Sequence, residues 1–183
     1  MASIISVLST TQIAGLSTAS IAALTSEDWA AFSSAQIQVL STAQFAAIST
    51  AGVVGLGSTQ MAAFLPTTLR AMETADLRVL TSTQLEALDS TQMAAFTSGQ
   101  VRALTTGQIS TLTSEDLNAF TTAQFAALTT AQVASLTTTQ VSTLETADLV
   151  ALSTAQLRAL GTAQVAALSS DQLPTLGTAQ FAV

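Results

Sequence analysis

The chain contains no cysteine, no histidine, no tyrosine and no lysine. Without Cys there can be no disulfide and no thiolate metal site, and a Cys-free chain is compatible with either redox compartment. Without His, and with neither Lys nor Cys in its place, the many Ser and Thr hydroxyls lack the usual bases that make a nucleophile of one of them. Charge is scarce as well: 8% of the 183 residues, where about 25% is usual. Four Arg are the only cationic side chains and the net charge is −7. That balance argues against a nucleic-acid partner, which needs a basic surface to meet phosphate. No Gly-rich phosphate loop is present, since Gly99 and Gly107 are isolated repeat positions. Long apolar runs are missing too. The mean hydropathy of +0.53 would suit a membrane protein. A spanning helix needs about 20 mostly apolar residues in a row, however, and Ser, Thr and Gln interrupt every run before that length. The N-terminus, MASIISVLSTTQIAGL, lacks the basic region of a signal peptide.

What is present is a period. Counted in eights from Leu8 to Val183, the chain holds 22 octads with no insertion or deletion. Position 1 is Leu, Phe, Ile or Met throughout, and position 6 is always apolar, from Ile13, Ile21 and Trp29 to Phe181. Position 3 is Ser or Thr except at Pro66, and position 5 is Gln in 15 octads and Asp in 4. An unbroken period of this kind signals a repeat architecture.

Eight residues fit neither regular structure if it runs on uninterrupted. A continuous helix turns about 800° in eight residues, so position 1 would march around its surface and leave no apolar stripe. In a continuous strand, positions 1 and 6 have opposite parity and point to opposite faces. Each octad must therefore contain a break. Position 2 is mostly Ser or Thr, with Asp89 and the glycines Gly57, Gly161 and Gly177 also suited to an N-cap. Three residues later comes Gln or Asp, which completes a capping box. Positions 1 and 6 then become N′ and N4, the pair that forms a hydrophobic staple. Charge placement agrees. Ten of the eleven acids lie at positions 2, 4 or 5, among them Glu73, Glu145, Asp76, Asp148 and Asp171, and Arg70, Arg78, Arg102 and Arg158 all lie at position 7. The helix dipole favours acids in the first turn and bases in the last.

The expectation is an all-α solenoid of 22 helices of about six residues, one per octad over positions 3 to 8, forming one continuous domain over residues 1–183. Such short helices are unstable alone, so stacking must supply the stability. Positions 1 and 6 should be core and position 7 solvent. Small residues at position 8, often with Ala at position 4, should let helices approach closely. The alternative fold is a β-solenoid with eight residues per rung or side, favoured by Thr and Val and opposed by Ala, Gln and the charge sorting. Met1 reads as a start placed inside an array, so the chain is expected to be a segment of something longer, whose exposed ends would promote end-to-end self-association.

The pattern bends in AGVVGLGSTQMAAFLPTTLRAM, residues 51–72. There Gly52 replaces the capping Gln, Leu65 the capping hydroxyl, and Pro66 falls at N1. Drift within the array and a hinge near Gly55 to Pro66 are both open. Pro174, at position 7, should break a helix bond and fray the last two octads. Phe32, Phe64 and Phe96 lie four octads apart, a spacing that could mark the number of helices per superhelical turn but that Phe120 breaks. The adjacent acids Glu27-Asp28 and Glu115-Asp116 could be fragments of a calcium site, but calcium takes six to eight oxygens, and first-turn capping explains them more simply. Trp29 reads as core. No catalytic, cofactor-binding or metal-binding residue is expected, and no cofactor.

The units LTTAQVAS, LSTAQLRA and LGTAQVAA, beginning at residues 128, 152 and 160, resemble the octad arrays of very large bacterial adhesin-like and repeats-in-toxin-like secreted proteins. The resemblance implies an extracellular or cell-surface segment and brings no catalytic residues. The Gly- and Asp-rich calcium nonapeptide of the toxin family is absent. The functional expectation is a non-enzymatic spacer, stalk or scaffold. Its alternatives are a solenoid binding module for a protein or glycan and, more remotely, an ordered Thr surface that binds a solid such as ice.

Overall fold

The computed structural model of the chain describes residues 3–177. Among these there are 20 α-helices of four to six residues, two 3-10 turns and no strand, so the β-solenoid alternative falls. Every α-helix begins at position 3, one residue after the expected cap. The local reason is visible in the backbone. The position-2 residue is extended, as at Ser41 with φ −72° and ψ 161°. Its side chain accepts the N–H of position 5, and the position-5 side chain accepts the N–H of position 2. The box is complete in most octads, from Ser9 and Gln12 to Ser153 and Gln156.

The chain divides into two compact units, Met1–Phe96 and Thr97–Val183. The first contains a 3-10 turn at Ile4–Val7 and then α1 (Thr10–Ala14), α2 (Thr18–Ala22), α3 (Ser26–Ala30), α4 (Ser34–Gln38), α5 (Thr42–Ala46), α6 (Thr50–Val54), α7 (Ser58–Ala62), α8 (Pro66–Leu69), α9 (Thr74–Leu77), α10 (Ser82–Glu86) and α11 (Ser90–Ala95). In this unit each helix packs on the one three octads further along, α1 on α4 through to α8 on α11. The second unit contains α12 (Ser98–Ala103), α13 (Thr106–Thr111), α14 (Ser114–Asn118), α15 (Thr122–Ala127), α16 (Thr130–Ala134), α17 (Thr138–Thr143), α18 (Thr146–Ala151), α19 (Thr154–Leu157) and α20 (Thr162–Ala166). The same rule holds within it, from α12 on α15 to α17 on α20. Regular short helices stacked at a fixed interval make each unit a helical solenoid.

The core follows the frame. Position 6 is fully buried along most of both units, as at Ile13, Met61, Val101 and Val133. Position 1 is buried from Phe32 to Leu152. Position 8 is mostly half-buried, with Ala63, Ala95 and Ala103 buried outright. Position 4 departs from expectation: Ala43, Ala75 and Ala131 are exposed, so close approach depends on position 8 alone. Octad 168–175 has the 3-10 turn Leu173–Thr175 in place of an α-helix, the break expected from Pro174. It nevertheless keeps its corner, with the Ser169 N–H donating to Gln172 at 2.8 Å. Fraying of the final octad concerns residues that lie almost wholly outside the described ones.

Candidate functional site

The recurring structural unit of this chain is the corner at which each octad begins, and position 5 is its centre. A glutamine amide has two ends. In octad 128–135 the Gln132 Oε1 accepts the Thr129 N–H at 2.8 Å, which caps its own helix. Its Nε2 points the other way and donates to the main-chain carbonyls of Val101 and Leu104, both at 2.8 Å. Those carbonyls lie 31 and 28 residues earlier in the chain, on the preceding layer. Gln36, Gln44, Gln84, Gln140 and Gln172 make the same pair of bonds at the same offsets. Stacked helices leave carbonyls at their C-terminal ends without intrahelical partners, and the amide satisfies them in a buried position. Gln132 is 2% exposed. A charged Glu or Asp would offer no donor, so at this position Gln serves both ends of the corner. Only the Oε1 half of this arrangement is predictable from the capping box; the Nε2 half is not.

Where position 5 is not Gln, the corner is rebuilt in different ways. Asp28 and Asp116 accept the N–H and hydroxyl of Thr25 and Thr113, as first-turn caps should. The Ser3 hydroxyl, donating to Asp28 at 2.7 Å, and the two Thr25 groups hold the Asp28 carboxyl below the usual range. In octads 72–79 and 144–151 the sequence is ETADL in both cases, and the capping expectation fails. Glu73 and Glu145 make no cap hydrogen bond. Their chains are longer than a cap hydroxyl, and each would bring a second carboxylate towards the acid at N3. Asp76 and Asp148 are both 4% exposed. Burial pushes both carboxyls up, and the neighbouring Glu73 and Glu145 add to the effect, bringing Asp148 to about 6. Thr50 partly offsets this at Asp76 by donating its hydroxyl at 2.7 Å.

The irregular stretch of 51–72 has a packing cause. Trp29 is fully buried, as a core residue should be, and stacks on Phe32 with centroids 4.7 Å apart. A Cβ at Gly52 would lie 2.5 Å from its Nε1, and a Cβ at Gly55 would run into the Ser26 carbonyl. The two glycines let α6 close onto α3 around the indole. α6, α7 and α8 follow one another in frame, and Pro66 occupies N1 of α8, so packing accounts for the glycines without a hinge. The Trp29 Nε1 is left without a partner.

Position 7 also does more than face solvent. Exposed Arg70 donates through Nε to the Ala95 carbonyl at 3.1 Å, and Asn118 donates to the Thr143 carbonyl at 2.8 Å. Both bonds reach 25 residues forward, to the last turn of the helix stacked above. A cation at a helix C-terminus is the arrangement the dipole favours, although here the helix belongs to a neighbouring layer. The Phe spacing of four octads does not mark the turn: helices pack at three octads, and Gln bonds span 28 to 31 residues. Among the described residues no three of His, Cys, Asp and Glu come together to hold a metal. No described helix is long and apolar enough to cross a membrane.

A tandem array of short capped helices, stapled layer to layer, is a repeat protein of the helical solenoid class. The ALTTAQ repeat family model matches residues 29–65, 69–106, 109–145 and 141–178, which is most of the chain, and the chain belongs to that family. Comparison with curated proteins and with solved structures finds no match.

Proposed function

We propose that the chain is a non-enzymatic structural segment, a spacer or scaffold within a larger bacterial surface or secreted protein. The observation supporting this is the double-ended amide. Within each unit, octads with Gln at position 5 are tied to the layer before by buried side-chain-to-main-chain bonds at a constant offset. A pull along the stack must break these bonds together with the core contacts beneath them. The exposed positions support the same reading. Positions 2, 3 and 4 carry mostly Ser, Thr and Ala, while the described aromatics are all buried, which leaves no aromatic anchor for a partner.

Single-molecule pulling on the chain tests the proposal. The expected record shows discrete force peaks whose height falls when Gln132 is replaced by Ala. Extension without resistance would overturn the spacer reading. Far-UV circular dichroism with and without a calcium chelator complements it, with a helical spectrum unchanged by chelator as the expected result.

A further inference from the structure

Asp148 occupies the position from which Gln132, Gln140 and Gln172 donate to carbonyls 31 and 28 residues earlier. At Asp148 those offsets fall on Leu117 and Phe120. The Phe120 carbonyl has no donor among the described residues, and neither has the Asp148 carboxylate. Thr50 donates to Asp76 from 26 residues back, but Thr122, which stands at that offset from Asp148, makes no such bond. The corner between α15 and α18 thus gathers acceptors and no protein donor around a residue only 4% exposed, which is costly as long as the carboxylate stays charged. α15 packs on α18 and carries no titratable side chain. Glu145 in the same octad is the charge that acts on Asp148, and octad 168–175, which bonds back to Leu144 through Gln172, carries Asp171.

We infer that Asp148 is a proton-operated interlayer lock: protonated, its carboxyl takes the place of the glutamine amide and donates to the main-chain carbonyl of the α15 layer, so that this layer tightens in mildly acidic solution and loosens as the carboxyl ionises. The upward displacement of the Asp148 carboxyl agrees in sign. Its folded value lies above its unfolded one, so the native state holds the proton more firmly. The stabilisation is complete below the unfolded value of 3.8 and is lost as pH rises to about 6. Asp76, whose charged form has a donor in Thr50, should respond less.

Amide hydrogen exchange of the intact chain at pH 5.0 and 7.5, corrected for intrinsic rates, tests this. The expected result is exchange in α15 and α18 on the order of tenfold slower at pH 5.0, with a smaller change in α6 and α9. In Asp148→Gln and Asp148→Asn the difference at α15 and α18 should vanish, with Asp148→Gln protected at both pH values. Retention of the pH dependence in both variants would overturn the lock, as would equal protection of the wild type at both pH values. Calcium restoring protection at pH 7.5 in the wild type but not in Asp148→Gln would also overturn it, because the corner would then hold a cation in place of a proton.

Discussion

Two corners, one in each unit, carry out the same task by opposite means. At Gln132 the contact between layers is polar and directional: one amide, two carbonyls at 2.8 Å and a cap on its own helix. At Gly52 it is steric. The amide is gone, and α6 closes on α3 because two missing side chains make room for an indole. The difference shows that the repeat preserves the spacing between layers and not a residue. A large residue at position 6 is accommodated when the position-5 residue of the octad stacked on it shrinks to match.

The sharpest break falls on the core that both corners share. Val133→Asp puts an unpaired carboxylate into a fully buried site, and should cost about 4 kcal/mol or unfold the layer. A chemical-denaturation midpoint measures this, and the exposed Arg158→Gln should shift it by less than about 0.5 kcal/mol. Next comes the steric corner itself. Gly55→Ala drives a methyl into the Ser26 carbonyl and should cost about 3 kcal/mol. At Gly107 the backbone is helical and an added Cβ would meet only the Thr105 Oγ1 at 3.8 Å, an ordinary contact, so Gly107→Ala should stabilise by about 0.5–1 kcal/mol in the same assay. The polar corner should lose about 2 kcal/mol in Gln132→Ala, which leaves the Leu104 carbonyl and the Thr129 N–H without partners and takes one of two donors from the Val101 carbonyl, as measured by the same unfolding curve.

The finest test exchanges one corner for the other. Gly52→Gln alone should destabilise, because its Cβ meets the Trp29 ring. In the double variant Trp29→Ile, Gly52→Gln, most of that cost should be recovered, giving a coupling energy of at least about 1 kcal/mol in a double-mutant cycle.

Much of this was legible in the sequence because it is local. The cap, the box, the staple and the two core positions all act within six residues, so one octad contains the evidence for them. The α-helical class follows from the same signals. What could not be read is the long-range half. The Nε2 of Gln132 reaches 28 and 31 residues back, a distance fixed by how the layers wind and not by anything inside an octad. Glu73 and Glu145 show a related limit. The dipole rule favours an acid at a helix start whether or not it caps, and only geometry shows that these two do not. The pairing of Trp29 with Gly52 left a trace, since Phe45 with Thr68 and Phe125 with Asp148 repeat it at the same 23-residue spacing, but only the packing of α3 on α6, α5 on α8 and α15 on α18 shows what the spacing means.

The constant offset of the amide bonds bears on how such a chain can change its length. Because each glutamine finds its partners by counting backward along the chain, and never by an absolute address, a duplicated or excised octad hands every later amide an equivalent carbonyl. Recombination between repeats can therefore lengthen or shorten the array in whole units at little structural cost. Loss of a single nucleotide triplet cannot be absorbed in this way, since each amide near the lesion would face a side chain or the wrong peptide. Across 22 octads the frame carries no such slip.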